Sequence, residues 1–202
     1  MVDRETIAKL VSEVLDGTDQ RLKVDAYELN ESLEDGTAEV KANIHDERTG
    51  EKRVVAGRGV GLVDAFFNGL VAAFSEAFPS LKSIRFSDFA IKAADGTGTV
   101  HAKSDMVAQV TAAIANSEGR EFVFSRASPS ISAASLTVVL KGVEFFINSE
   151  RAYVEVYNAL KHAREAKRSD SVSRYTEQLS ILVEATSYSD VIERLKVGEL
   201  KA

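Results

Sequence analysis

GRGVGLVDAFFNGLVAAFSEAF, running from Gly57 to Phe78, places three glycines at alternate positions directly ahead of an apolar helical stretch. Glycines in that pattern let the backbone approach a neighbour or a small ligand closely, and a helix starting there offers free N–H groups to a carboxylate. Two readings fit: a binding turn, or a tight strand-to-helix connection that needs glycine only for backbone geometry. Asp64, in the first helical turn, reads as a favourable charge at the positive helix end. Val63, Phe66, Phe67, Leu70 and Phe74 make one apolar stripe and Pro79 follows, which predicts a helix from Leu62 to Phe78. The phenylalanines of that stripe suit a core or a dimer contact better than an aromatic ligand box.

Upstream, the apolar period is two. Leu22, Val24 and Ala26 alternate with Arg21, Lys23 and Asp25, and Ala38, Val40, Ala42 and Ile44 alternate with Glu39, Lys41, Asn43 and His45. This predicts two half-buried strands, with a third near Arg53 to Gly57. The polar links Asn30 to Gly36 and Asp46 to Lys52 suggest an antiparallel meander. Downstream the arrangement recurs. Strands are expected over Ser83 to Ala93 (Phe86, then Phe89 and Ile91, with Asp88 interrupting), Met106 to Ala115 and Glu121 to Ser125. Ser128 followed by Pro129 reads as a capping serine with proline at the first helical position, so a second helix is expected from there to about Phe146. Aligning Ala134 with Ala65 puts the copies 69 residues apart.

The predicted fold class is therefore α+β: two pseudo-repeated βββα units with additional N- and C-terminal helices. Ile7, Leu10, Val11, Val14 and Leu15 give residues 3 to 15 a helical stripe. Helical patterns also cover Ala152 to Arg168, Ser171 to Ala185 and Ser189 to Lys196, with a break at Ser169 to Ser173. The second repeat's helix is apolar almost all round, so it needs two partners: its own sheet, and a terminal helix or a second protomer. The expected division is an N-terminal helix at 1–19, the duplicated domain at 20–160 (repeat one 20–80, repeat two 81–147) and a helical extension at 161–202.

Composition closes several routes. With 202 residues and 45% hydrophobic content the chain can bury a substantial core. No apolar run approaches the roughly 18 residues a membrane span requires. The N-terminus MVDRETIAKL lacks the basic-then-apolar order of a signal peptide, so no membrane partner and a cytoplasmic location are expected. The absence of cysteine removes disulfides, thiolate metal sites and a cysteine nucleophile. A net charge of −6 argues against nucleic acid, and the one basic cluster, Lys161, His162, Arg164, Lys167 and Arg168, lacks interleaved aromatics. His45, His101 and His162 form no pair at metal-ligand spacing, and the serines from Ser125 to Ser135 form no nucleophile elbow. No metal, cofactor or catalytic residue is expected.

The segment GRGVGLVDAFFNGL resembles the C-terminal regulatory (allosteric, dimerisation) domain of 2-isopropylmalate synthase and the related citramalate synthases. There Gly-x-Gly-Asn-Gly-Pro-Val-Asp-Ala leads into a helix. Gly57, Gly59, Gly61, Val63, Asp64 and Ala65 match, while Val60 and Leu62 stand for asparagine and proline. The second half is similar to a Gly-x-Ser followed by Ile-Ile-Glu-Ala-Ser: Ser128, Ile131, Ala134 and Ser135 match, and Arg126, Ser132 and Ala133 depart. The resemblance covers about residues 20 to 160. It implies a homodimer that binds a branched-chain amino acid, leucine or isoleucine, near both turns. The implied effector residues are Gly59, Gly61, Leu62, Ala65, Ser128, Ser130, Ile131 and Ala134. Small side chains would leave room for the ligand, and Leu62 and Ile131 would meet its apolar end. The family's acetyl-CoA-condensing catalytic barrel has no counterpart in these residues, so the implied partner is a separate synthase chain. Two alternatives stay open: a dimerisation scaffold without ligand, and the regulatory subunit of a split acyltransferase.

Overall fold

The computed structural model describes residues 2–93, 107–186 and Val191. Helix α1 (Arg4–Leu15) is opened by Asp3, whose carboxylate accepts the Thr6 N–H at 2.7 Å, and closed by Asp16 in the left-handed region. Its twelve residues would be marginal alone, but Ile7, Leu10, Val11 and Leu15 are buried against α3 and α4. At about 1.5–3 kcal/mol per buried side chain, that stripe is what holds the helix.

Two three-stranded antiparallel meanders follow, β1–β2–β3 (Leu22–Ser32, Thr37–Asp46, Lys52–Gly59) and β4–β5–β6 (Arg85–Ala93, Ala108–Ala115, Glu121–Ser128). Each leads into a helix, α2 (Leu62–Phe74) and α3 (Ile131–Glu165). The duplication extends to the register. Ala42 pairs with Val55 in the first sheet as Ala112 pairs with Phe124 in the second, and Val40 pairs with Gly57 as Val110 pairs with Arg126. Both first strands also bulge at the same place: pairing shifts between Val24 and Ala26 and again between Phe86 and Asp88. One extra residue reverses the side-chain alternation. Ala26 therefore turns outward opposite Asn43, contrary to the simple alternation, and Tyr27 and Leu29 take over the helix-facing side opposite Ala42 and Val40. The same device keeps Phe86, Phe89 and Ile91 on one face of β4 despite Asp88.

Several boundaries depart from the sequence expectation. Strand β1 continues to Ser32 and β3 covers Lys52–Gly59, both longer than expected. Helix α2 ends at Phe74 rather than Phe78. Pro79 imposes extended backbone on Phe78 and opens a short 3-10 turn, Pro79–Lys82. The second sheet's middle strand begins at Ala108, and Met106 lies outside the described residues. The second long helix starts two residues later than expected, with Ser130 rather than Ser128 as its cap, and does not stop at Phe146. It runs 35 residues because Asn148 and Glu150, in the polar stretch that follows Phe146, find partners inside the fold. The Asn148 amide exchanges hydrogen bonds with the Gln20 backbone at 2.8 and 2.9 Å, and Glu150 accepts the Ser80 N–H at 3.0 Å and its hydroxyl. The break falls at Ala166 to Arg168, where Lys167 adopts φ 54° and the Arg168 N–H reaches back to the Ala163 carbonyl. Ser169 to Ser173, expected to break the helices, instead open α4 (Ser169–Leu182). The segment expected to be helical over Ser189 to Lys196 lies outside the described residues apart from Val191.

Helix α3 is the spine. Its apolar stretch is long enough by length and composition to cross a membrane, but 67% of that window is buried inside the fold by its own sheet and the packed helices. Among the described residues the basic cluster around Lys161 sits at the exposed end of this helix, where cations suit the negative pole.

Each helix lies over the second and third strands of its own unit. In the first unit this approach is very close: a Cβ on Gly57 would collide with the Ala65 carbonyl oxygen and lie 2.5 Å from the Gly69 nitrogen. In the second unit a Cβ on Gly142 would meet side chains alone, crowding the flexible tip of Ile114 and reaching ordinary contact with the Phe124 ring. Gly57→Ala should therefore cost about 3 kcal/mol or more, because backbone blocks it, and Gly142→Ala should cost about 1 kcal/mol. Urea unfolding of both variants checks this, and similar losses would refute the backbone argument.

Candidate functional site

The first turn joins β3 to α2. A Cβ at Gly59 would meet the Asp64 carboxylate and lie 2.6 Å from the Ala65 nitrogen, so this glycine, like Gly57, serves the approach of the helix. Gly61 differs. It is the cap of α2, contributes no side-chain hydrogen bond, and a Cβ placed on it would meet nothing within 4 Å. Open space thus lies directly beside a helix N-terminus that its capping residue leaves uncapped. Asp64 folds back and accepts the Val60 N–H at 3.1 Å, fixing the bend and setting a negative charge beside the helix start. Leu62 is half-buried and Ala65 fully buried, so Leu62 can meet a ligand and Ala65 only lets the helix sit down.

The second turn joins β6 to α3 and is filled by its own side chains. Ser130 caps the helix by accepting the Ala133 N–H at 3.2 Å, and the Ser128 hydroxyl accepts the Ser130 N–H at 3.1 Å. Ser135 returns its hydroxyl to the Ile131 carbonyl. Ile131 is exposed and Ala134 is buried. The eight residues implied by the resemblance therefore fall into two groups of four, each gathered on its own turn. Among the described residues no hydrogen bond links the two turns. Helix α2 meets the second sheet where Phe67 stacks edge-on to Phe86 at 4.6 Å, and Phe86 pairs with Ile114. That point lies six residues along β5 from the Ala108–Ser128 pair, about 20 Å from the second turn.

Both units also leave part of a helix-facing surface bare. Helix α3 reaches the start of β1, where Glu144 accepts the Leu22 N–H at 2.6 Å, and α2 reaches the start of β4. Farther along those strands cover is thinner: Tyr27 is 38% exposed, Leu29 40% and Ile91 48%. The two bulges put these apolar groups on that face, so one-residue features, of which only the interruption at Asp88 shows in the alternation, decide which surface is offered.

A chain of two matching sheet-and-helix units, with pseudo-equivalent turns and unfinished apolar faces, belongs to the class of duplicated α+β domains. The sequence model of the LeuA allosteric (dimerisation) domain family matches residues 1–147. The chain belongs to this family, the regulatory domain of 2-isopropylmalate synthase-like proteins. The match takes in α1 and ends within α3. No curated protein matches the chain significantly.

Glu144, where α3 meets the start of β1, carries a shifted carboxyl away from both turns. Burial holds its carboxyl above the ordinary value of 4.5, opposed by Lys141 at 2.8 Å and the Leu22 N–H. The folded protein then binds this proton more tightly than the unfolded chain. Its contribution to stability is complete below the ordinary pKa and is lost as pH rises through the folded value. Nearby Asp19, held below its ordinary value first by Arg21 and also by Arg48, has the opposite sense and loses its contribution as pH falls. In Glu144→Gln the loss of stability between pH about 4.5 and neutrality should be smaller than in the parent. Unfolding midpoints across pH test this, and parallel profiles would remove the assignment.

Proposed function

We propose that this chain is a dimerising regulatory domain that binds a branched-chain amino acid, leucine or isoleucine, at the open start of α2 and transmits its presence to a separate catalytic synthase chain. The observation that carries the reading is the uncapped Gly61 with open space beside it, in a member of an allosteric domain family. Unpaired N–H groups suit the carboxylate of a zwitterion, the neighbouring Asp64 carboxylate suits its ammonium group, and Leu62 suits its side chain. Asp64 is thus added to the effector set. The self-capped second turn is already served by Ser130, so Ser128, Ser130, Ile131 and Ala134 enter the proposal as the weaker half.

A leucine or isoleucine concentration a hundredfold above its dissociation constant should stabilise the protein by about 2.7 kcal/mol in a thermal-shift series. Gly61→Asp puts the protein's own carboxylate on the same N–H groups. It should leave the fold as stable or slightly more so and abolish the response. A response that survives this variant would place the effector elsewhere. Absence of any response in the parent would favour the ligand-free scaffold, the reading supported by Gly57 and Gly59 being consumed by helix packing.

For the dimer we propose the bare stretch of β1 as the contact. Leu29→Lys combined with Tyr27→Lys sets charge into a surface that a second copy would desolvate. Sedimentation should show the variant dissociating at least about tenfold more readily. An unchanged dimer would exclude this face.

A further inference from the structure

We propose that the cleft between α1, β6 and the start of α3 is a second binding site, specific for a small carboxylate with a short apolar body and no ammonium group. The cleft holds about 390 Å³, within the size range of small-molecule sites. Its walls carry Val11, Val138 and Phe145 as apolar surface and Arg4, Arg126 and Lys141 as cations.

Arg126 is the anomalous residue. It pairs with Val110 and so stands on the helix-facing side of the second sheet, at the register position that Gly57 occupies in the first. There the missing side chain lets the helix backbone close onto the strand. An arginine at that position lines a gap between strand and helix instead, and among the described residues it has no hydrogen bond or ion pair. Arg4, across the cleft, lies over the Phe124 ring at 5.1 Å and likewise meets no carboxylate among the described residues.

The acidic groups of the cleft are already engaged. Asp19 is bound by Arg21 at 2.9 Å and Arg48 at 2.8 Å, while Glu144 takes Lys141 and the Leu22 N–H. Two guanidinium groups, on residues open to solvent, are therefore free to meet an anion, and among the described residues of the cleft no free carboxylate awaits an ammonium group. Guanidinium forks match a planar carboxylate, and Val11, Val138 and Phe145 match an aliphatic or aromatic body.

The site is distinct from the turn at Gly61, and its test separates the two. Isovalerate and phenylacetate are titrated into the full chain, followed by calorimetry and amide chemical shifts, with isopentylamine as the cationic counterpart. The carboxylates should bind saturably and shift amides in α1, β6 and the first turns of α3, and isopentylamine should not bind. Arg126→Gln should weaken binding at least about tenfold with an unchanged unfolding midpoint, while Arg164→Gln, an exposed cation at the far end of α3, should have no effect. No binding of either carboxylate, or equal binding by the Arg126 variant, overturns the proposal. Leucine binding lost in Arg126→Gln but retained in Gly61→Asp would overturn it too, by making this cleft the amino-acid site.

Discussion

The approach of α2 to its sheet, backbone against backbone at Gly57, Gly59 and Gly69, is the constraint from which the rest of the structure follows. A helix seated that low lies over β2 and β3 and does not also spread across β1. The uncovered part of β1 is then met at its start by α3 and left open beyond. The pseudo-repeat reproduces the arrangement with roles exchanged, so each helix closes its own unit and the beginning of the other. Two half-closed units locked in this way form one core, and their remaining apolar surface suits a second copy better than solvent.

The second unit does not obey the same constraint. Arg126 replaces the glycine, Ser130 supplies the cap that Gly61 omits, and α3 continues far beyond the length its sheet requires. Duplicated folds can diverge in this manner because each copy needs only enough helix-to-sheet packing to stay closed. Here the additional packing comes from α1 and α4 on α3, and from polar links at Asn148 and Glu150 that fasten the loop leading into β1 and the connector between the units. With α3 held on several sides, β6 can tolerate a charged side chain on its inner face.

Much of this was legible in the residues. The period-two runs, the glycine spacing and the 69-residue offset identify the βββα repeat and its family. What alternation could not reveal was the bulge at Asp25, since a single inserted residue leaves the composition unchanged while reversing every later side chain. Asn148, Ser149 and Glu150 look like a helix end because polar residues in an apolar stretch suggest solvent. The distant partners of Asn148 and Glu150, Gln20 and Ser80, are found only in three dimensions. The candidate turns were legible as turns. That Gly57 and Gly59 serve the helix while Gly61 faces open space depends on which atoms lie within 3 Å, and spacing holds no such information.

Regulation requires that a ligand distinguish two arrangements of the protein, since equal affinity for both shifts nothing. The asymmetry between the turns bears on where such a difference can arise. At the second turn the helix start is satisfied in every arrangement by its own serine, so a ligand there would have to displace a bond already made. At Gly61 the helix start draws on whatever lies beside it: solvent, an effector, or a group brought by the second copy. Ligand at that turn can therefore be linked to how the copies meet, without any rearrangement of the tightly seated α2. The close backbone packing below and the open space beside the helix start above are two consequences of one glycine-spaced stretch, and the first would give a ligand bound at the second a fixed platform from which to act.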